Sequence, residues 1–200
     1  MRGGLGRAKH TWMLLAMHRT LSKPSHWFVL SALLGSANIL PAQAPDPLSA
    51  EVRWTYGTIR NNLLKLAEKM PAENYGFRPT TDVETFGRRV AHIADANMNV
   101  CAGLNGERRP LGAASKTSKP ELVAALKESF AYCDRVFDSL TDATAPEMVS
   151  SRLGGPFPPE PTRSRLATLY NLVRHSNEMY GYMAVYLRLK GIVPPTSAPE

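Results

Sequence analysis

Past residue 44 the chain holds two histidines, His92 and His175, the other three of its five being His10, His18 and His26. An imidazole offers a ring nitrogen to a metal ion or to a proton in transit, and a pair of them is the beginning of a divalent-metal site. Each has a carboxylate three residues along its own segment, Asp95 after His92 and Glu178 after His175. On a helix residues at that spacing share a face, so either carboxylate could complete a ligand set. Glu178 is the better placed, because His-x-x-Glu is the mirror order of the Glu-x-x-His pairs used by bundle metal sites. Met179 follows His175 by four residues and shares its face. Its thioether is a soft, neutral donor that suits Cu(I) and adds little for Zn, Ni or Mn. Two histidines alone should hold a metal more loosely than the three ligands and open position of a catalytic zinc. A plainer reading stands beside this one. His92 sits about 100° round a helix from Ile93, at the flank of an apolar stripe, where a hydrogen bond to a tyrosine or carboxylate would satisfy it without metal.

Other chemistries find no support. The chain has no glycine-rich phosphate loop, no serine nucleophile elbow and no Cys-x-x-Cys. Tyrosines and methionines between Tyr180 and Tyr186 could line a pocket for a small-molecule ligand, although core packing explains them more economically. Arg88-Arg89 and Arg108-Arg109 read as solvated pairs.

Four segments with helical periodicity must position these residues, and none shows the sustained alternation of a strand. In the first, from about Pro47 to Met70, the stripe is Val52, Tyr56, Ile59, Leu63, Leu66 and Met70. The second runs from about Glu84 to Leu104, capped by Thr85 or Asp82, with Phe86, Val90, Ile93, Asn97, Val100 and Leu104 in line. The third opens on the capping box Ser118-Lys119-Pro120-Glu121, and Leu122, Leu126, Phe130, Cys133, Phe137 and Leu140 face inward. The fourth, from about Thr162 to Lys190, ends at Gly191 ahead of Pro194-Pro195. It carries two rows, one through Leu166, Tyr170, Val173, Asn177, Tyr180, Ala184 and Leu187, the other through Leu172, His175, Met179, Tyr182 and Tyr186. Four helices of about 20 residues, each ~30 Å long, enclose one elongated core, so the fold class is an all-α four-helix bundle.

Residues 1–44 differ in kind. Arg2, Arg7, Lys9, Arg19 and Lys23 are unaccompanied by any acidic residue, and the apolar run Trp27–Leu40 leads to Ala42-Gln43-Ala44. The run is shorter than the ~20 residues of a membrane-spanning helix, and the small residues stand at cleavage spacing. A cleaved signal peptide over 1–44 is expected, followed by a domain over 45–200 that is periplasmic or secreted and keeps no stable membrane span. Removing the signal takes five of the 24 basic residues and none of the 17 acidic ones, leaving 19 against 17. A charge near +2, without a concentrated basic face, argues against nucleic acid as a partner. A homodimer is compatible with the sequence.

Three stretches resemble one family. Asn74-Tyr75-Gly76-Phe77-Arg78-Pro79-Thr80, Val90-Ala91-His92-Ile93-Ala94-Asp95-Ala96-Asn97 and Val173-Arg174-His175-Ser176-Asn177-Glu178 are similar to the DinB-like (DinB/YfiT) metalloenzymes. The ending Tyr186-Leu187-Arg188-Leu189-Lys190-Gly191-Ile192-Val193-Pro194-Pro195 is similar to an exported bacterial branch. The resemblance covers about residues 48–195 and implies an up-down-down-up order of helices. It also implies a divalent metal held by three histidines, one on the second helix and two in a His-x-x-x-His on the fourth. His92 and His175 match two of them, and Met179 stands in place of the third, so metal binding should be weak or absent. If the second and third helices run parallel, as that order implies, Cys101 and Cys133 come level and an exported chain could join them. Two functions follow from the resemblance: a metal-dependent thiol transferase or hydrolase, with Glu178 or Asp95 completing the site, or a non-catalytic bundle with a degenerate pocket that binds a ligand or an envelope partner. Export disfavours the cytosolic thiol cofactors of some relatives.

Overall fold

A computed structural model describes residues 46–149 and 163–197. The expected signal peptide and the start of the fourth helix near Thr162 lie outside those residues. Four helices carry the fold: α1 (Pro47–Lys69), α2 (Phe86–Leu104), α3 (Lys119–Asp138) and α4 (Arg165–Leu189).

Each helix start has an identifiable cause. Thr85 caps α2, its hydroxyl accepting from the Arg88 amide at 3.3 Å. Ser118 caps α3 by accepting from the Glu121 amide at 3.4 Å, while its hydroxyl donates to the Glu121 carboxylate at 2.5 Å. Ser164 caps α4 through the Ala167 amide at 3.1 Å. The cap of α1 comes from the segment after α3: the Asp142 carboxylate accepts from the amides of Ser49 at 2.8 Å and Leu48 at 3.3 Å, and from the Ser49 hydroxyl at 2.8 Å. These bonds outweigh the desolvation that acts against the charge and hold the Asp142 carboxyl below its ordinary value.

Contacts between helices fix their directions. Tyr56 of α1 stacks on Phe137 of α3 with ring centroids 3.7 Å apart, and Lys127 of α3 pairs with Glu68 of α1 at 2.7 Å, so α1 and α3 are antiparallel. Gly87 packs beside Leu122, and Cys101 is bonded to Cys133, so α2 and α3 run parallel. His92 meets His175, and the Tyr186 hydroxyl donates to the Glu84 carbonyl at 2.7 Å, so α2 and α4 are antiparallel. The order is therefore up-down-down-up. The segment after α2 climbs back along the bundle through a short 3-10 turn, Ala113–Ser115, before α3 can start.

One core runs through all four helices, with Phe86, Leu66, Phe137 and Leu169 among its fully buried side chains. Three details go beyond the sequence reading. Met148–Val149 pairs antiparallel with Arg163–Ser164, a two-residue ladder too short to leave a periodic signal. Leu140 faces inward as expected and is fully buried, although it lies beyond the end of α3. The two expected rows of α4 are buried only in part: Tyr170, Asn177 and Tyr182 are exposed, and the inward stripe runs through Leu169, Leu172, Ser176, Met179, Met183 and Tyr186. Steps of three and four recur in both frames, and α1 and α2, the helices packed against α4, choose between them.

Candidate functional site

Two rungs cross the α2–α4 interface. At the first, the Nε2 atoms of His92 and His175 lie 3.0 Å apart, so one ring N–H donates to the lone pair of the other. The rings are tilted by 57° with centroids 5.0 Å apart. His92 is exposed, as its flanking position on α2 predicts, whereas His175 is half-buried. Burial, and then the neighbouring His92, hold the His175 imidazole below its ordinary value, with Arg174 adding to the effect and Glu178 opposing it.

At the second rung, one helical turn away, Arg89 of α2 meets Met179 of α4. Arg89 Nη1 approaches Met179 Sδ at 3.9 Å, and the guanidinium lies 5.5 Å from the centre of the Tyr182 ring. Met179 is buried at 5 % exposure. Among the described residues, Arg89 Nε is buried with no hydrogen-bond acceptor and no carboxylate pairs with this guanidinium. The expected solvated Arg88-Arg89 pair is thus corrected: Arg88 donates to the Ala114 carbonyl at 2.5 Å, and Arg89 is packed against α4. A signal existed, since Arg89 precedes His92 by three residues and shares its face.

Neither carboxylate completes a ligand set. Asp95 accepts from the Ala113 and Ala114 amides, both at 2.9 Å, and so pins the turn ahead of α3. Its two oxygens are committed to backbone donors, which corrects the expectation that it could serve the histidines. Glu178 is exposed, accepts from the Tyr182 hydroxyl at 2.9 Å and stands 3.9 Å from Arg174 Nη1. Among the described residues no three His, Cys, Asp or Glu side chains come together as a metal set.

The histidine pair itself is close to what a metal would need. Two nitrogens of a tetrahedral zinc, each at ~2.05 Å, stand about 3.3 Å apart, a little wider than the observed pair. The third position fails. It carries a thioether, and a guanidinium lies against that thioether, so a dication there would meet a fixed positive charge in partly desolvated surroundings. The residues present do not fit the three-histidine centre.

Cys101 and Cys133 form a disulfide, with Cα atoms 5.3 Å apart and both side chains fully buried. It lies on the α2–α3 side of the bundle and takes no part in the histidine rung.

Known structures share the architecture. A DinB-like protein from Bacillus cereus ATCC 10987 superposes with a TM-score of 0.56 at 19% identity, over 71% of this chain and 91% of that one. A conserved protein from Enterococcus faecalis gives 0.55 at 12% identity, over 70% of this chain and 95% of its own. A mycothiol-dependent maleylpyruvate isomerase gives 0.53 at 13% identity, over 66% of this chain and 59% of its own. At these identities the likeness is one of fold. No curated protein matches the chain. The family model of the DinB superfamily matches residues 55–183, which takes in both histidines and Met179, and the chain belongs to that superfamily.

Proposed function

We propose that this chain is an exported DinB bundle whose family metal centre has been reduced to a histidine pair, and that it binds a small molecule instead of running metal-dependent turnover. The observation that carries the reading is Arg89 lying against Met179, at the position where the resemblance asks for a third histidine. A cation packed at a ligand position is compatible with an organic ligand and opposes a metal ion. The rival reading, a metal-dependent thiol transferase or hydrolase, needs a third donor. Glu178 would have to leave Tyr182 and Arg174 to supply it.

Export is supported by the buried Cys101–Cys133 bond, since disulfides persist in oxidising compartments, and by the basic, then apolar, then small-residue order of residues 1–44. The test of the reading is metal analysis of protein purified without a histidine tag, beside a Met179→His, Arg89→Ala double variant. The expected result is substoichiometric metal in the native chain and a gain in the variant, where a donor replaces the thioether and the opposing charge is gone. Stoichiometric zinc, nickel or manganese in the native chain, lost on His92→Ala, would overturn it.

A further inference from the structure

We propose that the α2–α4 site takes a small monocarboxylate with an apolar body, whose carboxylate is held by Arg89. The inference rests on the ligand-binding reading above and names the class of ligand.

Arg89 is the unusual group. A half-buried guanidinium normally has a carboxylate beside it, because an unpaired desolvated charge is costly. Two other half-buried guanidiniums have one: Arg60 pairs with Asp134 at 2.8 Å and Arg165 with Glu147 at 3.2 Å. Among the described residues Arg89 has only the weak sulfur acceptor of Met179 and the face of Tyr182, and its Nε has no acceptor. A cation–π contact offsets less of that cost than a hydrogen-bonded ion pair in the same surroundings. Glu178, the nearest acidic residue along α4, is held by the Tyr182 hydroxyl and so does not neutralise Arg89.

Three features select the ligand. The planar guanidinium fork matches a planar carboxylate with two parallel N–H donors. The Met179 thioether and the Tyr182 ring flank it with apolar surface, which favours a hydrocarbon or aromatic body over a bare ion. Glu178 at the rim disfavours a multiply charged phosphate. The histidine rung, one turn along both helices and open to solvent at His92, offers a ring N–H or lone pair to a polar group at the far end of the ligand.

Benzoate is a suitable probe, with benzamide as its neutral isostere. Chelator-treated protein is titrated with each while the Arg89 Nε–H and the His92 and His175 ring signals are followed by NMR. Benzoate should shift all three saturably at millimolar concentration, benzamide should not, and Arg89→Gln should weaken benzoate at least tenfold while Arg89→Lys weakens it less. Absence of saturable shifts in the native protein up to 50 mM benzoate, or equal affinity in Arg89→Gln, would overturn the proposal. The native titration decides the matter even if the variants fold poorly. Because metal has been removed beforehand, stoichiometric metal in untreated protein would refute the reduced-centre reading without bearing on this result.

Discussion

Replacing both Cys101 and Cys133 by alanine should remove a large share of the stability of the bundle. The bond closes a loop of 32 residues that runs from α2 through the Ala113–Ser115 turn into α3. Loop-closure entropy for that length corresponds to about 3.7 kcal/mol at 25 °C. For a chain of this size, that lowers the unfolding midpoint by roughly 7–15 °C. The loss has a structural logic, because α2 and α3 run parallel and the returning segment between them is otherwise held by side-chain contacts such as those of Asp95 and Arg88 with the Ala113–Ser115 turn and of Tyr132 with Glu107. Thermal unfolding followed by circular dichroism measures the effect, with thiol titration of the unreduced, denatured protein as its companion. The single Cys101→Ala variant should fall with the double variant, since either one breaks the bond. Two titrating thiols in unreduced protein, or a double variant within about 1 kcal/mol of the native chain, would refute the reasoning.

Phe86→Ala should cost about 3–5 kcal/mol in urea unfolding, because the ring is fully buried at the start of α2 between Tyr75 and Tyr186. Gly87→Ala should destabilise as well: a Cβ there would sit 3.2 Å from both the Tyr75 carbonyl and Leu122 Cδ1, and the same Gly87 amide donates to that carbonyl at 2.8 Å. Equal stability would show that the α2 entrance can relax. Acidification should weaken the fold through His175. Its folded value is held below the unfolded ~6.5, so the unfolded chain takes up the proton first, and stability that is intact above that pH declines as pH falls toward the lowered folded value. Urea midpoints between pH 8 and 5 should show this slope, and His175→Gln should flatten it; a slope of the opposite sign would contradict the assignment.

The bundle was legible because each helix announces itself locally. Ser118, Pro120 and Glu121 start α3, and Gly191 lies just past the end of α4 in a left-handed turn at φ 72. The α1 cap was not legible, since Asp142 lies 93 residues from the Ser49 amide that it accepts from. The inward stripe of α4 was legible only in part for a similar reason: its apolar residues fit two frames, and only neighbours distant in sequence decide that Leu169 and Met183 are buried while Tyr170 is exposed. At the site, His92, His175 and Met179 could be placed on facing helices from their spacing and the family resemblance. Arg89 and Asp95 could not be interpreted in the same way. Two adjacent arginines look solvated until a facing helix buries one of them, and a carboxylate one turn from a histidine looks like a ligand until a loop takes both its oxygens.

The most direct test of the reduced metal centre is the metal content of the tag-free protein, measured for the native chain and for Met179→His, Arg89→Ala. The account predicts well under one equivalent of any divalent metal in the native chain and a rise toward one in the variant. One tightly held equivalent in the native chain that disappears with His92→Ala would contradict it.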